Sequence, residues 1–326
     1  MSQADGRYAP SPSGTLHLGN LRTALLAWLF ARSQQSAFHL RIEDLDPQRS
    51  RVEHERTALA DLRTLGLDWD GEPLRQSLRR ELYRMALAEL RAGGHVYPCW
   101  CTRAEVRNSS SAPHADAPRR IYPGTCRRMS RSERAERERS GRPVAWRLHA
   151  AGRSATFRDA LHGECSAEVD DFVLWRGDDL PAYNLAVVVD DADQGIREVV
   201  RGDDLLETTP RQVLLAQLLG LPVPRYAHVP LVLGPDGRRL AKRHGAVTLA
   251  ERLAGGQMVE EVVGWMAWTS GLSPSGASLR VEQLLEDFDP ARISTAPTTF
   301  AEAAPASEPE AAASAAGEGS FSRRTP

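Results

Sequence analysis

Lysine is all but missing from these 326 residues, in which Lys242 stands among 41 basic side chains that are otherwise arginine. A basic excess is missing as well. The formal charge of −2 excludes a uniformly basic nucleic-acid binder, although arginines can still gather on one face. No apolar run approaches the roughly 20 residues that a membrane span needs. The opening "MSQADGRY" lacks the basic and apolar regions of a secretory signal. The expectation is a cytosolic, monomeric protein with no membrane partner. Four cysteines are too few for a disulfide scaffold at this length, and a cytosolic setting keeps them reduced. No G-x-G-x-x-G opens a helix after a strand, which argues against a dinucleotide-binding dehydrogenase, and no internal repeat is present.

What is there builds a core: 41% of the chain is apolar, and the apolar positions follow α/β periods. Leu21, Leu25 and Trp28, widened by Leu29, predict an amphipathic helix beginning near Asn20. Alternating Phe38, Leu40 and Ile42 predict a strand after it, hence an α/β unit. Helices are expected over 50–65 and 77–92. Between 99 and 143 the pattern dissolves into what reads as an insertion, whose charged run from Arg127 to Arg142 is expected to be a solvated helix. "VAWRLHA" and "DFVLWR" bring regular structure back. In "AYNLAVVVDDADQGIREVVRG" two apolar runs flank a turn-like Asp-Ala-Asp-Gln-Gly, which suggests a hairpin. A helix fits "TPRQVLLAQLLG", capped by Thr208 or Thr209 with Pro210 in its first turn. Two more fit 257–270 and 281–288. From about residue 300 the chain is Ala, Glu, Pro, Ser and Gly, and a disordered tail is expected.

Two stretches carry chemistry. In "RYAPSPSGTLHLGN", residues 7–20, prolines and glycines lead into a helix start, where outward backbone N–H groups and the helix dipole suit phosphate. His17 could donate to a phosphate or ribose there. In "GPDGRRLAKRH", residues 234–244, a flexible turn precedes a basic cluster holding Lys242, and fixed cations near a triphosphate stabilise departing pyrophosphate. A third group is Cys99-x-Cys101 with Tyr122 and Cys126. Three soft ligands and a phenol suit a closed, structural zinc site, with His114 as an alternative fourth donor and simple burial of the cysteines as the plain alternative. Cys165 reads as a buried small apolar residue.

"HLGN" at 17–20 resembles the HIGH signature of class I aminoacyl-tRNA synthetases, and "RLAKR" at 239–243 resembles their KMSKS signature. "RYAPSPSGTLHLGNLRTAL", "RIEDLDPQRS" and "DDLLETTPRQ" are similar to the glutamyl-tRNA synthetase core, over roughly residues 6–295. Arg239 and Ala241 depart from the second signature, where a lysine and a serine are usual. The resemblance implies an α/β fold, a Rossmann-type catalytic domain in two halves, 1–98 and 144–245. It also implies a zinc-bearing insertion at 99–143, a short helical C-terminal part at 246–299 and a tail at 300–326. It implies ATP held by His17, Gly19, Asn20, Arg239 and Lys242, with His17, Asn20 and Lys242 catalytic and Mg2+ accompanying the ATP. L-glutamate would be held by Arg7, Ala9, Ser11, Glu43, Tyr183 and Arg201, and Zn2+ by Cys99, Cys101, Tyr122 and Cys126. No room is expected for the helical anticodon-binding region of the full-length enzymes. That matches a shortened paralogue in the family, which activates glutamate without tRNA and attaches it to queuosine in the anticodon of tRNA(Asp). The rival expectations are a truncated tRNA-charging enzyme and a non-catalytic RNA-binding protein built on the same core.

Overall fold

The computed structural model describes residues 4–102, 104–106, 122–245 and 247–300, with the side chain of Lys242 left out. The possible ligand His114 and the expected tail beyond Phe300 lie outside the described residues.

Strand β1 (Gly6–Tyr8) leads through a proline-rich loop into helix α1 (Leu18–Ser33), then β2 (Phe38–Ile42), α2 (Val52–Thr64), β3 (Leu74–Arg75) and α3 (Arg80–Ala92). Next come β4 (Val96–Cys99), α4 (Arg131–Arg139), β5 (Ala145–Leu148), β6 (Ser154–Asp159), β7 (Gly163–Glu168) and β8 (Val173–Trp175). Helix α5 (Tyr183–Asp193), β9 (Glu198–Gly202), α6 (Thr209–Leu218), β10 (Arg225–Val229) and β11 (Val232–Leu233) complete the second half. Three short helices follow, α7 (Leu249–Ala254), α8 (Val259–Thr269) and α9 (Val281–Glu286), before β12 (Thr298–Thr299).

Seven strands form one sheet in the order β3-β2-β1-β9-β10-β6-β7, parallel except for the β6–β7 hairpin. Chain order reverses between β1 and β9, and open α/β sheets bind ligands beyond the strand ends at such a switch point. A separate antiparallel sheet, β4-β5-β8, draws strands from both sides of 99–143 and carries the cysteines at its edge.

Helix α1 starts at Leu18, two residues before the expected Asn20, because His17 is its N-cap. It is not amphipathic: twelve of its residues, from Leu18 to Ala31, are buried, since it lies between the sheet and the C-terminal helices. A helix enclosed on both sides is apolar all round. The hairpin expected around Asp191 is absent. Its first apolar run is α5 and its second is β9, which pairs in parallel with β1 and β10. The β6–β7 hairpin was not anticipated, because β7, at the edge of the sheet, is short of apolar residues and mostly exposed. Cys165, on β7, is half-buried rather than enclosed. Thr208 is the N-cap of α6, yet its side chain makes no capping bond. The charged run does form a helix with no buried residue, α4, closed at its start by reciprocal bonds between Ser130 and Glu133.

Candidate active site

One cavity of about 530 Å3 opens at the C-terminal ends of β1, β2 and β9. Its lining includes Arg7, Ala9, Ser11, His17, Gly19, Asn20, Glu43, Tyr183, Arg201 and Arg239. The segment 7–20 and the basic stretch near 239, more than two hundred residues apart in the chain, thus face the same space. Lys242 is the one residue of the expected ATP and glutamate sets whose side chain is not described.

At the mouth of α1, His17 and Asn20 cap each other: Asn20 N–H donates to His17 Nδ1 at 3.2 Å, and His17 N–H donates to Asn20 Oδ1 at 3.2 Å. Leu18 N–H donates to Val247 C=O at 2.7 Å. Two amides expected to point outward are therefore taken up within the protein. Burial first, then the charge of Arg239, pushes His17 down to about 4, so the ring is neutral near pH 7. With Nδ1 accepting, the proton sits on Nε2. Gly19 lies inside the first turn of α1, where a Cβ would come within 3.1 Å of both His17 Nδ1 and Val232 Cβ. The turn before Arg239 is closed rather than open: Gly237 N–H donates to Gly234 C=O, and buried Leu240 N–H donates to Val232 C=O. Arg239 Nη1 reaches Asp204 at 2.8 Å.

On the other side two buried arginines stand on neighbouring strands. Arg7, on β1, donates from Nε to Asp191 at 3.2 Å and from Nη1 to Val200 C=O at 3.3 Å. Arg201, on β9, donates from Nη1 to the Tyr183 hydroxyl at 3.4 Å. Behind Arg7, Asp191 also accepts from fully buried Arg41 at 2.8 Å. Burial opposes its charge, but Arg41 and Arg7 hold Asp191 below the usual carboxylate range. Glu43 follows β2 with its carboxylate 3.8 Å from Arg41 Nη2. Burial dominates there and raises it to about 7, against the pull of Arg41 and Arg7. Sequence reasoning missed Asp191 and Arg41. The available signal was charge placed inside apolar runs, "LRI" and "VVVDDA".

The sequence model of the family described as tRNA synthetases class I (E and Q), catalytic domain, matches residues 4–284. The chain belongs to this family. Among the relatives of this synthetase is a glutamyl-Q tRNA(Asp) synthetase of Nocardia farcinica, 57% identical, the match covering 90% of this chain and 91% of the relative. A glutamate–tRNA ligase of Aquifex aeolicus is 41% identical, with 92% of this chain and 64% of the ligase covered. Among solved structures, a glutamate tRNA ligase from Elizabethkingia meningosepticum in complex with its amino acid superposes with a TM-score of 0.79. That match is 26% identical and covers 92% of this chain and 67% of the ligase.

The cysteine group lies apart from the cavity just described. The sulfurs of Cys99, Cys101 and Cys126 fall within 4.8 Å of one another. The Tyr122 hydroxyl lies 3.5 Å from Cys99 Sγ and 3.5 Å from Cys101 Sγ, and Cys101 Sγ is 3.4 Å from Cys126 Sγ. Donors at the corners of a tetrahedral zinc site, with sulfur at about 2.3 Å and oxygen at about 2.0 Å from the ion, are about 3.5–3.8 Å apart. The three sulfurs and the phenol fit that ion. Arg147 Nε donates to Cys99 Sγ at 3.2 Å, and its guanidinium lies 3.9 Å above the Tyr122 ring, a cation placed to favour thiolate and phenolate.

Among the described residues, no helix is long and apolar enough to cross a membrane.

Proposed function

We propose that this ATP-dependent ligase, as a cytosolic monomer, activates glutamate without tRNA and transfers the glutamyl group to queuosine in the anticodon of tRNA(Asp). The observation that carries the reading is the single cavity shared by the 7–20 segment, Glu43, Tyr183, Arg201 and Arg239. The close relationship to enzymes named for that reaction supports it.

In this reading ATP, with its Mg2+, lies over α1. Gly19 leaves space for it, His17 donates from Nε2, Asn20 holds the imidazole, and Arg239 and Lys242 bear on the phosphates. Arg7 and Arg201 clamp the side-chain carboxylate of glutamate, where planar guanidinium groups suit two oxygens. Tyr183 adds its hydroxyl, Ala9 and Ser11 line the wall, and Glu43 faces the ammonium. The α-carboxylate oxygen attacks the α-phosphorus, the bond to the β-phosphate bridging oxygen breaks, and pyrophosphate leaves. A hydroxyl of the acceptor nucleoside then attacks the mixed anhydride carbonyl, loses its proton, and AMP departs. Positioning and charge stabilisation carry both steps, and no side-chain nucleophile is needed. Cys99, Cys101, Tyr122 and Cys126 would hold zinc, which would cross-link a poorly cored segment.

The test is ATP–pyrophosphate exchange with glutamate and no RNA, followed by transfer to tRNA(Asp) with and without queuosine. Exchange without RNA and product only on queuosine-bearing tRNA(Asp) are expected. Product on tRNA(Glu) would favour a truncated charging enzyme, and no exchange would favour a non-catalytic RNA-binding protein.

A further inference from the structure

Behind Arg201, on the side away from the cavity, lies a polar chain that the reaction as described does not use. Arg201 on β9 and His228 on β10 are register partners in adjacent parallel strands. Arg201 Nε donates to His228 Nε2 at 3.1 Å, and His228 Nδ1 is 2.6 Å from Asp159 Oδ2. A second arm runs from Arg201 Nη2 to Thr209 Oγ1 at 2.8 Å, and the Thr209 hydroxyl lies 3.0 Å from both Leu205 C=O and His228 Nε2. His228, Asp159 and Thr209 are all at most 1% exposed.

The donors and acceptors assign the tautomer. Arg201 Nε can only donate, so His228 Nε2 must accept, and the imidazole proton then sits on Nδ1 facing Asp159. Asp159 is held in turn by the backbone N–H groups of Leu161 at 2.9 Å, His162 at 3.0 Å and His228 at 3.1 Å. Burial, before any other influence, keeps His228 below its ordinary value, in keeping with a neutral acceptor. Tyr226 stacks against the ring at 5.8 Å between centroids and 17° between planes, leaving it little room to turn.

We infer that His228 is a positioning residue: oriented by Asp159, it accepts from Arg201 Nε and, with Thr209, aims the guanidinium at the carboxylate of the amino-acid substrate. The inference rests on the reading of Arg201 as part of the glutamate clamp. Without the acceptor, the guanidinium would keep its charge and its bonds to Thr209 and Tyr183 but lose the Nε contact that completes the fixing of its plane, and bidentate recognition depends on that plane.

The experiment is steady-state ATP–pyrophosphate exchange on the full chain, with KM measured separately for glutamate and for ATP, and melting followed for each variant. His228→Asn keeps a donor for Asp159 but is too short to accept from Arg201, whereas His228→Gln can present an acceptor there. Asp159→Asn removes the carboxylate that sets the tautomer, and gives an independent reading should the His228 variants not fold. We expect His228→Asn and Arg201→Lys to raise KM for glutamate about tenfold or more, the scale of one lost hydrogen bond to a charged group. KM for ATP should stay within about twofold, and His228→Gln should recover most of the loss. Asp159→Asn should raise KM for glutamate alone. Unchanged KM for glutamate in the folded His228→Asn or Asp159→Asn variant, or equal rises in both KM values, would overturn the positioning role. So would a His228→Gln variant no better than His228→Asn. Unchanged KM for glutamate in Arg201→Lys would instead sink the clamp and this inference with it.

Discussion

Glu43 stands near two cations, Arg41 and Arg7, and still holds its proton up to about pH 7, because burial outweighs their pull. Below that pH the free site presents a neutral acid, whereas pairing with an ammonium group requires the carboxylate. The sign follows: acid weakens glutamate binding. KM for glutamate should rise by about tenfold per unit as pH falls from 7 towards 5, while KM for ATP follows a different profile. In Glu43→Gln the rise should vanish and KM should be high at every pH. Initial-rate exchange across that range checks this, and a slope retained in the variant would move the titrating group elsewhere. At this scale the sequence was informative about side chains that line the cavity, since Arg7, Glu43, Tyr183 and Arg201 sit in stretches that match a family pattern. The supports behind them were invisible. Asp159 takes two backbone N–H bonds from its own turn, but the side-chain partners of Asp191, Asp159 and His228 lie on strands far away in the chain.

Elements were legible where local pattern and tertiary setting agree, as at α2, α3 and β2. Helix α5 shows the contrary case. Val187, Val188 and Val189 favour a strand locally, yet the segment is helical and its last turns place Asp190 and Asp191 against Arg41, Arg79 and Arg7. Tertiary context overrides such propensities routinely. Among the described residues, the cysteine segment has only a small core of its own: Tyr97, Cys99, Trp100, Tyr122 and Cys126 form a cluster apart from the two large ones. Purified protein should therefore carry one equivalent of zinc by elemental analysis. Stripping it with a strong chelator should open the region around 99–142 to protease while the fragments of the parallel sheet resist. Cys126→Ser should lose the metal. Metal-free protein with an unchanged digestion pattern would contradict a structural site.

Across the whole molecule, Arg22 joins parts that the sequence keeps far apart. It lies in α1, 1% exposed, and donates from Nη1 to Thr269 C=O at 2.9 Å and to Thr298 Oγ1 at 3.2 Å, and from Nη2 to Pro230 C=O. One guanidinium so ties the helix under the cavity to α8, to β12 and to the approach to β11. Thr269 C=O also accepts from Thr298 Oγ1 at 3.0 Å, but Arg22→Ala would remove the guanidinium that joins all three acceptors and should cost about 2–4 kcal/mol in urea denaturation. A loss below about 1 kcal/mol would show that water or neighbouring groups replace it. The same tie bears on any attempt to trim the protein. Val232 and Leu233 pair with Thr298 and Thr299 only a few residues before Arg239. Deleting the last strand would free one flank of the basic stretch, so a cut made some sixty residues downstream in the chain should be felt as a change in nucleotide affinity. A minimal catalyst ending at residue 245 would lack its keystone.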